Sequence, residues 1–193
     1  MRATQPGQSA LLLLDVVDLL VQDGLEYAVI GAMAASVHGV VRASLDADAV
    51  AFISLTRARR LLDQAAGLGL TASLRIGDFE DPVPGLLALE DAHGNRVDLL
   101  IGLRGLDRTA LMRTLVVPFH GTPLTVLGRE DLVATKLYAA GPLDLVDAEG
   151  LVKSDRATLD VDLLRRLADR YGSATRARLE TLLSATDDPP DVA

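Results

Sequence analysis

The sequence contains no cysteine. This absence excludes disulfide bonds, thiolate metal ligands and thiol nucleophiles together, and it agrees with a cytoplasmic protein. Positive charge is also scarce, because 19 lysine and arginine residues stand against 27 aspartate and glutamate residues, for a formal net charge of −8. The field of such a chain repels polyanions at long range, which argues against steering toward nucleic acid. The sequence shows no internal repeat and no low-complexity segment.

Two further classes of site and segment are excluded by what the sequence lacks. The histidines His38, His93 and His120 have no metal-ligand spacing and no nucleophile partner. The apolar stretch "SALLLLDVVDLLV" resembles the hydrophobic part of a signal peptide, but Asp15 and Asp18 interrupt it and no Ala-x-Ala-like cleavage site follows. We therefore expect an amphipathic helix of a soluble protein here, and no association with a membrane.

Hydrophobic periodicity predicts alternating helices and strands over roughly the first 127 residues and helices alone afterwards. The predicted helices of the first part span 9–22, 32–39, 56–67 and 106–114. The predicted strands span 26–31, 44–53, 70–76, 85–91 and 96–102, followed by two short strands within 114–127 that Gly121 and Pro123 interrupt. The later helices span 129–141, 143–154, 159–172 and 173–185. This pattern predicts an α/β (α+β) core over 1–127, a helical C-terminal subdomain over 128–185 and a flexible tail over 186–193.

Two aspartates begin the strand "SLDADAVAFI". Because side chains alternate along a strand, Asp46 and Asp48 project from one face while Ala47 and Ala49 line the other. Neighbouring carboxylates raise each other's ionisation cost unless a cation neutralises them, and a hard ion such as Mg²⁺ does so. The alternative is that both are solvated residues at a strand entry. An EF-hand is excluded, because its glycine and terminal glutamate are missing.

Two other positions favour a site over that alternative. Asp98 lies in the apolar strand "RVDLLIG", where a hydrophobic residue would be the ordinary choice. Gly31 ends one strand and opens a helix, so that free backbone N–H groups and the positive end of the helix dipole face outward, as a phosphate requires. The sequence therefore combines a glycine turn between a strand and a helix, an Asp-x-Asp strand and an aspartate on a later strand. Together these features indicate a functional site more strongly than each of them alone.

The segment "YAVIGAMAASVHGVVRASLDADAVAFI" resembles the core of the nucleotidyltransferase superfamily, which has the DNA polymerase β-like fold, and in particular its bacterial AbiEii-like members. The resemblance extends over about residues 10 to 170. The matching residues include Gly31, Ala32, Arg42, Ser44, Asp46, Asp48 and Asp98, and a later motif "KLYAAGPLDLVD" matches at Lys136, Asp144 and Asp147. The resemblance implies a mixed sheet flanked by helices.

The resemblance also implies an enzyme that moves a nucleoside monophosphate from a nucleoside triphosphate such as ATP to a hydroxyl acceptor with Mg²⁺ or Mn²⁺. Asp46, Asp48 and Asp98 would bind the metal ions, and Asp98 would also serve as general base. The implied nucleotide contacts are Gly31, Ala32, Arg42, Ser44, Lys136 and Asp144. The acceptor class stays open among RNA, protein and small molecule, and the AbiEii likeness implies a toxin-like role with an antitoxin-like partner.

Several of these residues have a second interpretation. Lys136 is either a triphosphate contact or a solvated charge, and Arg42 either contacts phosphate or braces the loop. Asp144 and Asp147 could instead cap a helix or pair with a basic side chain. Arg57, Arg59 and Arg60 would bind an anion or form surface ion pairs.

The sequence departs from the superfamily pattern at three positions. Ala32 replaces a second glycine or a serine, Gly141 stands where an arginine is common, and Leu143 where a basic residue is frequent. Each change weakens the expected grip on an anionic substrate. Three hypotheses therefore follow from the sequence: an active nucleotidyltransferase, a nucleotide-binding or partner-binding protein of the same fold with weakened catalysis, and an α/β interaction module.

Overall fold

The computed structural model describes residues 1–187, and these residues divide into two compact units. The first unit comprises residues 1–34 and 42–127. The second comprises residues 35–41 and 128–187. The last helix of the second unit continues to Asp187. Most of the tail predicted over 186–193 therefore lies outside the described residues.

Within residues 1–187, a mixed sheet of seven strands forms the centre of the first unit. Its strands are β1 (Tyr27–Ile30), β2 (Asp46–Ala51), β3 (Thr71–Ile76), β4 (Gly85–Glu90), β5 (Arg96–Ile101), β6 (Leu115–Phe119) and β7 (Thr122–Val126). Their order across the sheet is β3-β4-β5-β2-β1-β7-β6. β2 runs parallel to β5 and β1 parallel to β7, whereas the other neighbours are antiparallel. The predicted mixed sheet flanked by helices, with a helical C-terminal part, is confirmed.

Three helices belong wholly or partly to this unit: α1 (Ser9–Gln22), α2 (Gly31–Val37) and α3 (Leu55–Gly67). α1 contacts β2 and β5, and α3 contacts β3 and β4. Leu12, Leu13 and Leu20 of α1 are fully buried. Along β4 and β5 buried residues alternate with partly exposed ones, so that one face of the sheet is covered and the other is accessible. The candidate metal ligands Asp46, Asp48 and Asp98 lie on the accessible face.

Two local predictions differ from the structure. Pro123 does not interrupt a strand but lies inside β7, opposite Pro118 of the edge strand β6. Proline cannot donate a ladder hydrogen bond, but Pro118 lies in the edge strand, and β7 pairs with β1 at Val126 and not at Pro123. The turn is instead formed by His120 and Gly121, both at positive φ. The helix predicted over 106–114 is a short 3₁₀ helix, Arg108–Arg113.

A buried polar contact ties the N-terminal segment to the turn between β4 and β5. Asn95 is 1% exposed; its Oδ1 accepts a hydrogen bond from the backbone N–H of Gln8 at 2.6 Å. Its Nδ2 donates to the carbonyl of Gln5 at 2.9 Å and to Oδ2 of Asp91 at 2.8 Å. Burial acts to raise the pKa of Asp91, but hydrogen bonds from Asn95 and His93 outweigh it and lower that pKa. Every polar atom of the Asn95 side chain is therefore used.

Replacement of Asn95 by alanine is expected to lower the free energy of unfolding by about 2–3 kcal/mol, because buried partners lose their hydrogen bonds. Urea unfolding followed by circular dichroism measures this loss. The matched control is Gln64→Ala, whose exposed amide donates to Asp23 at 3.3 Å and should cost no more than about 0.5 kcal/mol. Equal losses in the two variants would show that the Asn95 contacts do not stabilise the fold.

The second unit contains the helices α4 (Arg129–Ala139), α5 (Pro142–Ser154), α6 (Val161–Arg170) and α7 (Ser173–Asp187). α4 contacts each of the other three, and its Leu132, Val133 and Leu137 are buried. α4 ends at Ala140, which adopts the left-handed conformation at φ 53°. Pro142 then begins α5 at a position where its missing N–H is not needed. Within residues 1–187, each helix is too short or too polar to span a membrane.

A charged network joins α6 to α7. Arg165 donates to both carboxylate oxygens of Glu180, at 3.0 and 3.1 Å, and Arg176 adds a contact of 2.7 Å. The hydrogen bonds from Arg165, followed by those from Arg176, lower the pKa of Glu180 from 4.5 to about 2. Because the folded pKa lies below the unfolded one, the stabilisation is complete above pH about 4.5 and is lost as the pH falls through about 2.

We expect the melting temperature of wild type to fall more steeply between pH 4.5 and 2 than that of Glu180→Gln. The difference between the two curves isolates Glu180 from the other carboxylates, and 1 M salt should reduce it because the network is exposed. Circular dichroism melts at matched pH values make the measurement. Parallel curves for the two proteins would contradict the role of this network.

Candidate active site

The parallel pairing of β2 with β5 assembles the candidate site. Asp48 is the register partner of Asp98, and Asp46 is the partner of Arg96. Partners on parallel strands point to the same face, as do residues two apart on one strand. The four side chains therefore share the accessible face of the sheet, while the intervening Ala47 is buried. The structure thus places the three strand aspartates that the sequence singles out on one face of adjacent strands.

Gly31 at the start of α2 lies directly against Asp48. A Cβ at position 31 would stand 2.9 Å from the Cγ of Asp48, and closer still to its Oδ2. Gly31 also has φ +67°, a conformation that side-chain-bearing residues rarely adopt. Glycine is therefore required here both by the backbone conformation and by the close approach of the carboxylate.

Asp98 is engaged by a residue that the sequence reasoning missed. Arg96 donates from Nε to Oδ1 of Asp98 at 2.8 Å and from Nη2 to Oδ2 at 3.1 Å. The hydrogen bonds to Asp98, followed by its charge and those of Asp46 and Glu90, raise the pKa of Arg96. The sequence indicates this contact through the spacing of two residues between Arg96 and Asp98, because that spacing places both side chains on one face of a strand.

The accessible face continues from β5 across β4 to β3. A cavity of about 150 Å³ lies there, lined by Thr71, Ser73, Ala88, Leu89, Glu90 and Arg96. Its hydroxyl and carboxylate groups make it polar, and Arg96 is shared between this cavity and the aspartates. The site is therefore one end of a wider polar surface within the first unit.

The chemistry of the donors fits a hard divalent cation, because carboxylate oxygens are the ligands that Mg²⁺ and Mn²⁺ take in proteins. Asp46, Asp48 and Asp98 supply three such groups on adjacent strands. Within residues 1–187, no three Asp, Glu or His side chains lie close enough together to hold a metal ion. Both oxygens of Asp98 accept hydrogen bonds from Arg96.

The remaining predicted nucleotide contacts in the first unit lie between β1 and β2. Ala32 is buried, Ser44 is exposed, and Arg42 donates to the carbonyl of Ala43 at 3.3 Å. α2 has seven residues, and the space beside its first residue is taken by Asp48. The phosphate-binding roles of Gly31, Ala32, Arg42 and Ser44 stay predictions. Arg57, Arg59 and Arg60 of α3 are all exposed.

In the second unit, Lys136 of α4 lies between two aspartates of α5. Its Nζ is 2.7 Å from Oδ1 of Asp144 and 2.9 Å from Oδ2 of Asp147. Lys136 is 8% and Asp147 1% exposed, so the interpretation of Lys136 as a solvated charge is wrong. Asp144 and Asp147 do pair with a basic side chain. The triphosphate contact of Lys136 and the role of Asp144 in nucleotide binding stay predictions.

No protein-family model matches the sequence, and no curated protein matches it. Solved structures do. The antibiotic-resistance factor ANT(2'')-Ia in complex with adenylyl-2''-tobramycin is similar with a TM-score of 0.58 and 14% identity over 83% of this chain and 94% of that one. The solution structure of ANT(2'')-Ia is similar with a TM-score of 0.57 and 15% identity, over 90% of this chain and 94% of that one. An antigenic nucleotidyltransferase-like protein from Paracoccidioides brasiliensis is similar with a TM-score of 0.53 and 12% identity, over 92% of this chain and 95% of that one.

These similarities establish the fold. The chain has the nucleotidyltransferase fold, as the resemblance of residues 27–53 predicts. The narrower AbiEii-like grouping stays a prediction, because the matched structures do not bear on it.

Proposed function

We propose that this protein is a Mg²⁺-dependent nucleotidyltransferase that transfers a nucleoside monophosphate from a nucleoside triphosphate to a hydroxyl group. The observation that carries the proposal is the register pairing of Asp48 with Asp98, which places them and Asp46 on one accessible face of a nucleotidyltransferase-fold sheet. Carboxylate oxygens are the ligands that a hard divalent cation such as Mg²⁺ takes in proteins.

In the proposed reaction, Asp46, Asp48 and Asp98 would supply carboxylate oxygens to Mg²⁺. Bound Mg²⁺ would neutralise phosphate charge and lower the pKa of the acceptor hydroxyl. Asp98 would accept the proton of that hydroxyl as general base. A bond forms between the acceptor oxygen and the α-phosphorus, the bond to the bridging oxygen breaks, and pyrophosphate leaves. Positioning and charge neutralisation by the chain supply most of the rate.

The proposed acceptor is a small, hydroxylated and cationic molecule. Asp46, Asp48, Asp98 and Glu90 make the accessible face acidic, with Arg96 among them. The net charge of −8 has the same sign, and it disfavours an RNA acceptor. One matched structure contains the adenylylated form of tobramycin, which supports this class of acceptor. A toxin-like role and an antitoxin-like partner rest on the AbiEii resemblance alone.

The experiment incubates the protein with each α-³²P-labelled nucleoside triphosphate, Mg²⁺ or Mn²⁺, and either cell extract or aminoglycosides as acceptors. The control is Asp46→Asn/Asp48→Asn, which keeps the shape of both side chains and removes their charges. Label on an acceptor with wild type and not with the control supports the proposal, and the labelled molecule identifies the acceptor class. Label on RNA or protein would show that the acceptor belongs to that class and not to the small molecules.

A second candidate function is nucleotide binding with weakened catalysis. The observation that favours it is the engagement of Asp98 by Arg96, together with Ala32, Gly141 and Leu143 at positions where the superfamily has other residues. It predicts no transfer of label, but a higher melting temperature with Mg²⁺ and nucleotide in wild type and not in the double variant. The absence of both label and shift would contradict both functions and favour an interaction module.

A further inference from the structure

Arg96 is a charged residue of the accessible face that the proposed reaction does not use. Its guanidinium contacts both oxygens of Asp98, at 2.8 and 3.1 Å. A two-pronged contact of this kind is directional and stronger than a single hydrogen bond. The carboxylate that the proposed function requires as metal ligand and proton acceptor is therefore held by a cation of the chain itself.

The surroundings of Arg96 are acidic on both sides. Asp46 is its register partner on β2, and Glu90 is its partner on β4. Arg96 on β5 is thus flanked by one carboxylate on each neighbouring strand. A cation at this place reduces the repulsion between Asp46 and Asp98 in the absence of metal.

The guanidinium can leave Asp98 only by moving. Arginine stays protonated under all ordinary conditions, so deprotonation cannot break the contact. The Arg96 side chain is 42% exposed and that of Asp98 is 19% exposed, so that the guanidinium reaches solvent and has room to rotate. A phosphate group is a suitable second partner, because it matches the same two-pronged geometry.

We propose that Arg96 is an internal counter-ion of the metal site, which withholds Asp98 until metal and a phosphate-bearing ligand are both present. The guanidinium then passes from Asp98 to a phosphate, and Asp98 becomes available to the metal. This inference rests on the proposed function. It makes the binding of metal and nucleotide cooperative, because each ligand favours the same released state of Asp98.

The test measures Mn²⁺ affinity by calorimetry and electron paramagnetic resonance, with and without α,β-methylene-ATP as a non-transferable nucleotide. The proteins are wild type, Arg96→Ala, Arg96→Lys and the control Arg75→Ala. Arg75 forms an ion pair with Asp81 on the same sheet, away from β2 and β5. Arg96→Lys is decisive, because lysine keeps the charge and loses the two-pronged contact.

For Mn²⁺ alone, we expect Arg96→Ala to bind about five- to tenfold tighter than wild type and Arg96→Lys about threefold tighter. With α,β-methylene-ATP present, both advantages should disappear or reverse, because Arg96 then contacts phosphate in wild type. Arg75→Ala should match wild type throughout. Affinity in Arg96→Lys equal to wild type would show that net charge alone acts, and it would overturn the proposal.

Failure of this inference differs from failure of the proposed function. If Mn²⁺ binding is lost in Asp48→Asn but is unchanged in both Arg96 variants, the metal site stands and the counter-ion role falls. If wild type binds no Mn²⁺ with or without the nucleotide, both proposals fall. Melting curves establish that each variant is folded, and the exposed side chain of Arg96 makes a large change in stability unexpected.

Discussion

Replacement of Lys136 by methionine is expected to lower the free energy of unfolding by about 3–5 kcal/mol. The ammonium group of Lys136 lies within 2.9 Å of Asp147, whose side chain is 1% exposed. Without that cation the Asp147 carboxylate stays in a poorly solvated place and loses a compensating charge at 2.9 Å. Urea unfolding of the wild type and the variant, followed by circular dichroism, measures the loss.

Two further variants determine whether burial is the cause. Lys153 also pairs with a carboxylate of α5, Glu149, but both side chains are at least half exposed. Lys153→Ala should therefore change stability by no more than about 0.5 kcal/mol. Lys136→Met/Asp147→Leu removes both buried charges and should recover most of the stability. A loss in Lys136→Met no larger than that in Lys153→Ala would contradict the importance of the buried pair.

Replacement of Gly31 by alanine is expected to lower transfer activity about 100-fold, because displacement of a site residue by about an ångström has effects of that size. The added methyl group would stand 2.9 Å from the Cγ of Asp48, so one of the two must move. Affinity for Mn²⁺ should fall as well, since Asp48 is a proposed ligand. The strained φ adds a loss of stability of about 1–2 kcal/mol.

Gly24→Ala separates strain from displacement. Gly24 has φ +62°, close to that of Gly31, but a Cβ there meets nothing within 4 Å. It should lose a similar amount of stability and keep the metal affinity of wild type. Equal metal affinity and transfer in Gly31→Ala and Gly24→Ala would show that the approach of Gly31 to Asp48 has no functional consequence.

The sequence predicts local features of this site well. The alternation around Ala47 places Asp46 and Asp48 on one face because strand periodicity is a property of consecutive residues. Asp98 stands out for a similar reason, as a charge among hydrophobic residues of a strand. The order of helices and strands follows from periodicity as well, with boundaries that shift by one or two residues.

Features that depend on distant parts of the chain were not predictable in this way. The parallel register of β2 with β5 joins segments far apart in sequence, and periodicity within each segment carries no information about their alignment. The burial of Lys136 depends on the packing of α4 against α5, so its surroundings could not be inferred from its own helix. The contact of Arg96 with Asp98 depends on side-chain rotation, which spacing permits but does not determine.

The parallel pairing of β2 with β5 also has a consequence for the order of folding. The chain between them contains α3, β3 and β4, and antiparallel neighbours such as β3 and β4 can pair across short loops. Joining β2 to β5 requires closure of the much longer intervening segment, which makes it a slow step. Until then the aspartates of the two strands remain apart, each surrounded by water. The mutual repulsion of these carboxylates therefore arises only at the step that joins β2 to β5.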